Sequence, residues 1–512
     1  MNSANPAAAP PPDPIDALND FPDRLSPIVV KELRQGLRQP SFVILFLFLQ
    51  SILALAVISA LFSVSSAPLQ NRVQMGGVIS GFFFALFALS VLVIQPLRAL
   101  NALSSERRDS TIDLLLLTRL DAWRVVFGKW MSLVTQSGLI FVAILPYLLM
   151  RYFLGGMNLL GELGSLAALF LLGGMMCAAG VALSAVKSII LRVIFAIIGG
   201  IGFLVLLQSG GFYFAYSSVG GGPLGMGVLP STSDTVLYLI GGVLLVAFIT
   251  HAALEFAATR IAPPAENRST RKRLIALTAL LVIPAVFAVP DLLLRFPVYL
   301  SLAVISGVTL ADALSENPRY MGRMKGISLW TLRPGWPSGA VFGLMVLGAC
   351  ALWGIGIAAA SGHMASYDRE THAGLMQVVG VCLLMIAQPA LWVALIRPHD
   401  PDPASLYLTG LWASLALGIV LLTVGTVTDT HQTICYLFFV VFPVLGFGLL
   451  DNPNGQMAAV MFICAAAYLS IAAWIGYRVW KSPAGSAPPA GPQTGPEPDA
   501  TQEPPAAQGT DI

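Results

Sequence analysis

The sequence predicts an all-α polytopic membrane protein with about 12 to 13 transmembrane helices. Three observations carry this. Apolar residues make up 56% of the 512-residue chain and charged residues 11%, with a mean hydropathy of +0.79. A soluble domain could not hide that much apolar surface. Apolar runs of roughly 20 residues, the length a helix needs to cross a bilayer core, recur from residue 41 to residue 476. Lys and Arg gather in short segments between those runs, as loops on one side of a membrane do. The net charge of +2 gives no reason to expect a nucleic-acid partner. Cys177, Cys350, Cys382, Cys435 and Cys464 lie in or beside apolar runs without CxxC spacing, so they read as small core residues.

The elements follow in chain order. Residues 1–26 are rich in Pro, Ala and Asp and lack an apolar h-region, so they read as a disordered tail and not a signal peptide. In "PIVVKELRQGLRQP", Pro27 to Pro40, Val30, Leu33 and Leu37 recur at helical spacing. Lys31, Arg34 and Arg38 repeat that spacing about 100° further round. This predicts an interfacial helix over 27–40, with its apolar stripe in the acyl boundary and its basic stripe toward headgroups. Spans are expected near 41–63, 76–97, 131–150, 163–186, 188–208, 235–258, 339–360, 373–396, 404–426, 433–450 and 456–476. Residues 273–311 hold two further apolar runs broken by "PDLLLRFP". One span there would place Arg295 at its centre at a cost of about 2.5–3.5 kcal/mol, so a turn at Pro290–Pro297 between two spans is cheaper. The count is 13, or 12 if one late segment is re-entrant. Residues 482–512 are a second Pro/Ala-rich tail, read as disordered.

Four basic segments set the orientation: Lys31, Arg34 and Arg38; Arg98 to Lys129; Arg260 to Arg273; and Arg319 to Arg333. All fall on one side if the spans are right, and that side is cytoplasmic, with the N-terminus. Residues 209–234 contain no Lys or Arg and fall on the far side. The C-terminus conflicts with 13 spans, which would put Arg478 and Lys481 outside.

"SSERRDSTIDLLLLTRLDAWRVVFGKW", Ser104 to Trp130, holds nine charged residues between the second and third spans. Ser104 and Ser105 suit a helix N-terminus with Glu106 in its first turn, and Asp121 suits a second cap. The pattern predicts a helix–turn–helix lying along the cytoplasmic surface. A solvated loop would not need Leu114 to Leu117 in a row.

Together, "KELRQGLRQ" before the first span and "SSERRDSTIDLLLLTRLDAWRVVFGK" after the second resemble the permease subunit of ABC-2 type ABC transporters. The matching residues are Ser104, Ser105, Glu106, Arg107, Thr111, Leu114, Leu115, Thr118, Gly128 and Lys129. Ser110 stands where the family has Gly, Asp113 where it has Glu, and Arg119 where it has Pro. "GVALSAVKS", Gly180 to Ser188, resembles the family's cytoplasmic turn between spans four and five. The likeness covers roughly residues 27–260. It implies an exporter subunit whose coupling segment, Ser104, Ser105, Glu106, Arg107, Arg108, Thr111, Asp113, Thr118, Asp121 and Lys129, abuts a separate ATPase subunit. Lys31, Glu32, Arg34 and Arg38 would form the interfacial helix. It implies ATP and Mg only on the partner, no cofactor or metal in this chain, contact with the lipid bilayer, and a homo- or heterodimer of permeases as one arrangement. The location implied is the cytoplasmic (inner) membrane.

No GxxxxGK[ST] occurs, so no ATP site lies in this chain, and no catalytic set argues for an enzyme. A secondary transporter would need paired charges at mid-span, and these are nearly lacking. A membrane anchor or assembly protein retaining the fold would show the same spans. In residues 261–481, "DALSENPR" (312–319) echoes "NALSSERR" (101–108) at a spacing of 211, a candidate internal repeat. His251 and Glu255 stand four apart near the cytoplasmic end of the sixth span and read as a locally satisfied pair.

Overall fold

The structure is a computed structural model. It describes residues 27–66, 82–104, 121–154, 159–186, 188–206, 232–262, 267–289, 296–318, 330–360, 366–400, 403–427, 431–450 and 455–481. Both predicted disordered tails lie outside these residues. The described residues form helices and turns without a strand.

Helix α1 (Pro27–Arg38) precedes α2 (Pro40–Ser66). Then come α3 (Phe82–Ala99), with a π-turn at Leu89–Ile94, and α4 (Ala122–Leu154), α5 (Leu159–Ser184), α6 (Ile189–Leu206) and α7 (Thr232–Ile261). The second half holds α8 (Ser269–Ala288), α9 (Phe296–Leu314), α10 (Trp336–Ala360), α11 (Ser366–Ile396), α12 (Pro403–Val427), α13 (His431–Phe438) and α14 (Gly455–Lys481). Ten of these helices are long and apolar enough to cross a membrane. Of the other long helices, α6 is short at 18 residues, and α8 carries Arg271, Lys272 and Arg273 in its first turns. The chain is a multi-pass membrane protein. Its outer helices are apolar on the side away from the bundle: Ile44 of α2 is 67% exposed and Phe62 74%. Such a surface is stable only against lipid.

Two expectations change. Residues 122–130 were expected to lie along the membrane surface. They are instead the first turns of α4, continuous with the third span, because nothing in "AWRVVFGKWM" breaks a helix. Residues 433–450 were expected to span. They break into α13, eight residues long, and a 3-10 turn at Pro443–Leu449. Pro443 supplies no N–H and holds Phe442 in extended backbone. The segment folds back on itself as a short hairpin against α12. Its carbonyls are satisfied by α11 and α14: Gln388 Nε2 donates to Val441 O at 2.6 Å, Gln377 Nε2 to Gly446 O at 3.4 Å, and Tyr468 to Val440 O at 2.8 Å. Irregular backbone at membrane depth needs such partners.

Ten of the helices qualify as crossings by length and composition, α6 and α8 not among them. The end of α14 packs where α10 begins: the Trp330 and Tyr477 rings lie 6.3 Å apart, and a Cβ on Gly476 would sit 2.5 Å from Pro337 Cβ. Arg478 and Lys481 therefore stand at the same end as the basic segments, which removes the conflict that 13 spans created.

The two halves run through the same order of elements. α3, α4, α5, α6 and α7 are matched by α9, α10, α11, α12 and α14, and the hairpin takes the chain position of residues 207–231. In each half the third of these helices is central. α5 packs on α3, α4 and α7; α11 packs on α9, α10 and α14. The echoed motifs share a local geometry: Ser104 Oγ donates to Asn101 O at 3.3 Å, and Ser315 Oγ to Asp312 O at 3.0 Å. The halves meet where α7 packs on α8 and α9.

Candidate functional site at the charged end of the bundle

The described residues of the four basic segments converge on one end of the helices, through contacts that run from α1 to α10. α1 lies against α4 along its buried Val29 and Gly36. A Cβ on Gly36 would fall 2.2 Å from Gln136 Nε2, so a larger residue would have to displace the Gln136 amide. Lys129, 8% exposed, pairs with Glu32 at 3.3 Å, and Ser132 Oγ donates to Glu32 O at 3.1 Å. Lys31, Arg34 and Arg38 point outward and are exposed. Arg98 fastens the α1–α2 junction to α3 and α4. It donates to Gln39, Gln95 and Gln136 Oε1 at 2.9, 3.1 and 2.6 Å.

The charged segment 104–130 is seen at its two ends. At the first, Leu103 N–H donates to Ser184 Oγ at 3.3 Å, tying the end of α3 to the end of α5. The turn after α5 is then held by Arg192, which donates to Val186 O at 3.1 Å. The long side chain thus carries its charge back to the polar end of the helices. At the second end Asp121 caps α4 by accepting the Trp123 N–H at 3.1 Å and pairs with Arg268. Ser105, Glu106, Arg107, Arg108, Thr111, Asp113 and Thr118 lie outside the described residues.

From Arg268 the network crosses to the second half. Arg268 also pairs with Glu255 of α7 at 3.3 Å. Lys272 pairs with Asp312 at 2.7 Å and with Glu316 at 3.2 Å. Arg273, 2% exposed, donates to Glu316 Oε2 at 2.8 Å and to Thr331 O, Arg333 O and Ser338 Oγ at 2.5, 2.8 and 3.0 Å. Gly335 closes this turn at φ +111°, a conformation glycine adopts without strain, and its N–H donates to Glu316 Oε2 at 2.9 Å. Burial alone would raise the Glu316 carboxyl. Arg273 and Lys272, with the Gly335 N–H, outweigh it and hold Glu316 down at about 2.

Sequence reasoning placed Lys129 and Asp121 in a partner-facing segment. Lys129 instead faces α1, and Asp121 joins the network. Glu255 is satisfied by Arg268 and not by His251, whose ring lies 5.2 Å from Trp123. Among the described residues no group of His, Cys, Asp and Glu has the geometry to hold a metal. Arg268, Arg273, Asp312 and Glu316 were missed as a functional group. Their one signal was "RSTRKR" facing "DALSE" across two apolar runs that could only be antiparallel. The arrangement has no nucleophile–base pair. What it can do is mechanical: it couples the ends of five helices, α1, α4, α7, α8 and α9, through paired charges that cannot be separated cheaply. Comparison of the chain with protein-family models, characterised proteins and solved structures finds no match.

Proposed function

We propose that the chain is the membrane-spanning permease of an ATP-driven exporter of the ABC-2 type, working in the cytoplasmic membrane with a separate ATPase subunit. The observation that carries this reading is the anchoring of the charged segment. One end is tied to α5 through Leu103 and Ser184, and the other to α7 and α8 through Asp121, Arg268 and Glu255. A displacement delivered to residues 105–120 by a partner would reach α3 and α5 at one end, and α4, α7 and the second half at the other. The ion pairs would carry the motion and the spans would rearrange around it. ATP chemistry belongs to the partner, since the chain has no phosphate-binding loop. Among the described residues, the buried ion pairs gather at one end of the spans and not at their middle, which favours this over a carrier driven by an ion gradient.

The test replaces Glu106, Arg107 and Arg108 with Ala together. Exposed ion pairs contribute only about 0–1 kcal/mol, so expression and melting stay near wild type. Losing one side of a buried contact with a partner costs about 2–5 kcal/mol, so the variant loses its ATPase subunit or the stimulated hydrolysis. Purified chain alone hydrolyses no ATP. Full association and coupled activity in the triple variant, or hydrolysis by the chain alone, would refute the reading.

A further inference from the structure

A cleft of about 340 Å³ opens between α4, α5 and α7 on the outer side of the first half. One wall is a single stripe of α4: Trp123, Phe127, Trp130 and Val134. Gly174 and Val243 belong to the facing walls. From Trp123 to Val134 the helix rises about 16 Å, at 1.5 Å per residue. That is about half of a hydrocarbon core of ~30 Å, the depth of one leaflet. The walls are apolar, and Phe127 and Val243 remain exposed at 37% and 50%, so the cleft faces the acyl chains of the bilayer.

The polar groups inside are satisfied, with one exception. Trp130 Nε1 donates to Gly174 O at 2.8 Å and Thr250 Oγ1 to Val246 O at 2.8 Å. His251 Nε2 is buried without a partner. Next to the cleft stand two cations. Arg124 follows Trp123 in the first turn of α4, and Arg271 lies in the first turn of α8, near enough for its charge to act on His251. Both are exposed, and neither has a carboxylate partner among the described residues. Their neighbours differ. Lys129, Arg268, Lys272 and Arg273 are all paired with acids. Two cations without an acid partner among the described residues, Arg124 and Arg271, therefore stand beside an apolar slot one leaflet deep.

We infer that this cleft seats an acyl chain of one anionic phospholipid from the leaflet at the basic end. Its phosphate lies between Arg124 and Arg271, with His251 Nε2 as a further donor. Arginine suits phosphate because its fork donates two parallel hydrogen bonds, and Trp123 at the head of the cleft stands at the headgroup level that tryptophan favours. The site requires nothing of the partner ATPase, so it stands or falls separately from the transport reading.

The full-length protein in phosphatidylcholine nanodiscs is titrated with phosphatidylglycerol, or with more phosphatidylcholine, brominated on the acyl chain in each case. Tryptophan quenching is read against a Trp123→Phe/Trp130→Phe variant, which removes the contribution of the other tryptophans. A basic residue near a bilayer surface favours anionic lipid by about fivefold, so the two arginines predict a preference of roughly twenty-five-fold for phosphatidylglycerol. In Arg124→Gln/Arg271→Gln that preference falls to about twofold or less, which His251 alone sustains. Native mass spectrometry gives an independent reading: wild type retains one phosphatidylglycerol under activation that strips phosphatidylcholine, and the arginine double variant retains none. Equal quenching by the two headgroups overturns the inference. So does a preference clearly above twofold, or a retained phosphatidylglycerol, in the arginine double variant.

Discussion

Arg273 joins more of the charged end than any other described side chain, and its replacement by Met isolates what that junction contributes. Methionine keeps an apolar stem of similar length and removes every donor. The change strips Glu316 of a bond at 2.8 Å and leaves the carbonyls of Thr331 and Arg333 and the hydroxyl of Ser338 without this donor. Removing one partner of a buried pair costs about 3–5 kcal/mol. Here the lower end applies, about 3 kcal/mol, because Lys272 at 3.2 Å and the Gly335 N–H at 2.9 Å still hold Glu316. Unfolding entropy is about 2.1 cal/mol/K per residue, so this loss lowers the melting midpoint by about 3 °C if all 512 residues melt together. If residues 269–481 melt alone, the shift is about 7 °C.

Thermal melts of the purified protein in one detergent measure this directly. Glu316→Gln in the Arg273→Met background is the decisive comparison, because it neutralises the carboxylate that the first change left short of charge. The double variant is expected to lose less than the sum of the two single losses, by at least about 1 kcal/mol. A midpoint within about 1 °C of wild type for Arg273→Met, or strictly additive losses, would show that the pair does not hold the turn and that the reasoning from burial fails.

Two further outcomes follow from the same geometry. In a cysteine-free background, Lys481→Cys and Arg271→Cys resist an impermeant thiol reagent until cells are permeabilised, while Gly221→Cys labels in intact cells; labelling of Lys481→Cys from outside would restore an odd number of crossings. Glu316 titrates below its ordinary value of 4.5, at about 2. A carboxyl lowered on folding contributes stability above the unfolded value and loses it as pH falls through the folded one. About 3 kcal/mol is therefore lost between roughly pH 4.5 and pH 2, and acid melts of Glu316→Gln should lack that portion of the slope.

Much of the membrane architecture was legible because span length and loop charge act locally. The break at Pro290–Pro297 was predicted from Arg295 alone, and α8 and α9 lie on either side of it. The failures have physical causes. Residues 433–450 passed as a span because hydropathy counts apolar residues and not backbone donors. Pro443 was visible, but a proline can also kink a continuous helix, as Pro146 does not prevent α4 from running to Leu154. The deciding groups are Gln377 and Gln388 on α11, distant in sequence, which supply the hydrogen bonds the broken backbone lacks. The start of α4 failed for the opposite reason. Arg124 and Lys129 looked too polar for a span, yet Arg124 stays exposed near the helix end, and Lys129 is neutralised by Glu32, ninety-seven positions earlier.

The charged end was half legible for a related reason. Sequence reasoning counted its cations as topology signals, one loop at a time, and such signals need no partners. Burial changes their meaning. A cation that only fixes orientation can stay in water, as Lys31, Arg34 and Arg38 do. Lys129, Arg268, Lys272 and Arg273 are each 8% exposed or less, a placement that is costly unless an acid and further donors or acceptors complete it. Those acids, Glu32, Asp121, Glu255, Asp312 and Glu316, come from four separate stretches of chain. Each pair therefore joins two helices that sequence alone leaves unconnected. Breaking one leaves a buried charge behind, so the helix ends shift together or not at all. That stiffness is a reason for the chain to bury ions at one end while leaving its mid-membrane spans almost free of them. The coupling proposed above has the bundle move as two bodies, and on that reading it gains from rigid contacts at the face where a partner would deliver force, and from weak, apolar contacts where the helices would slide.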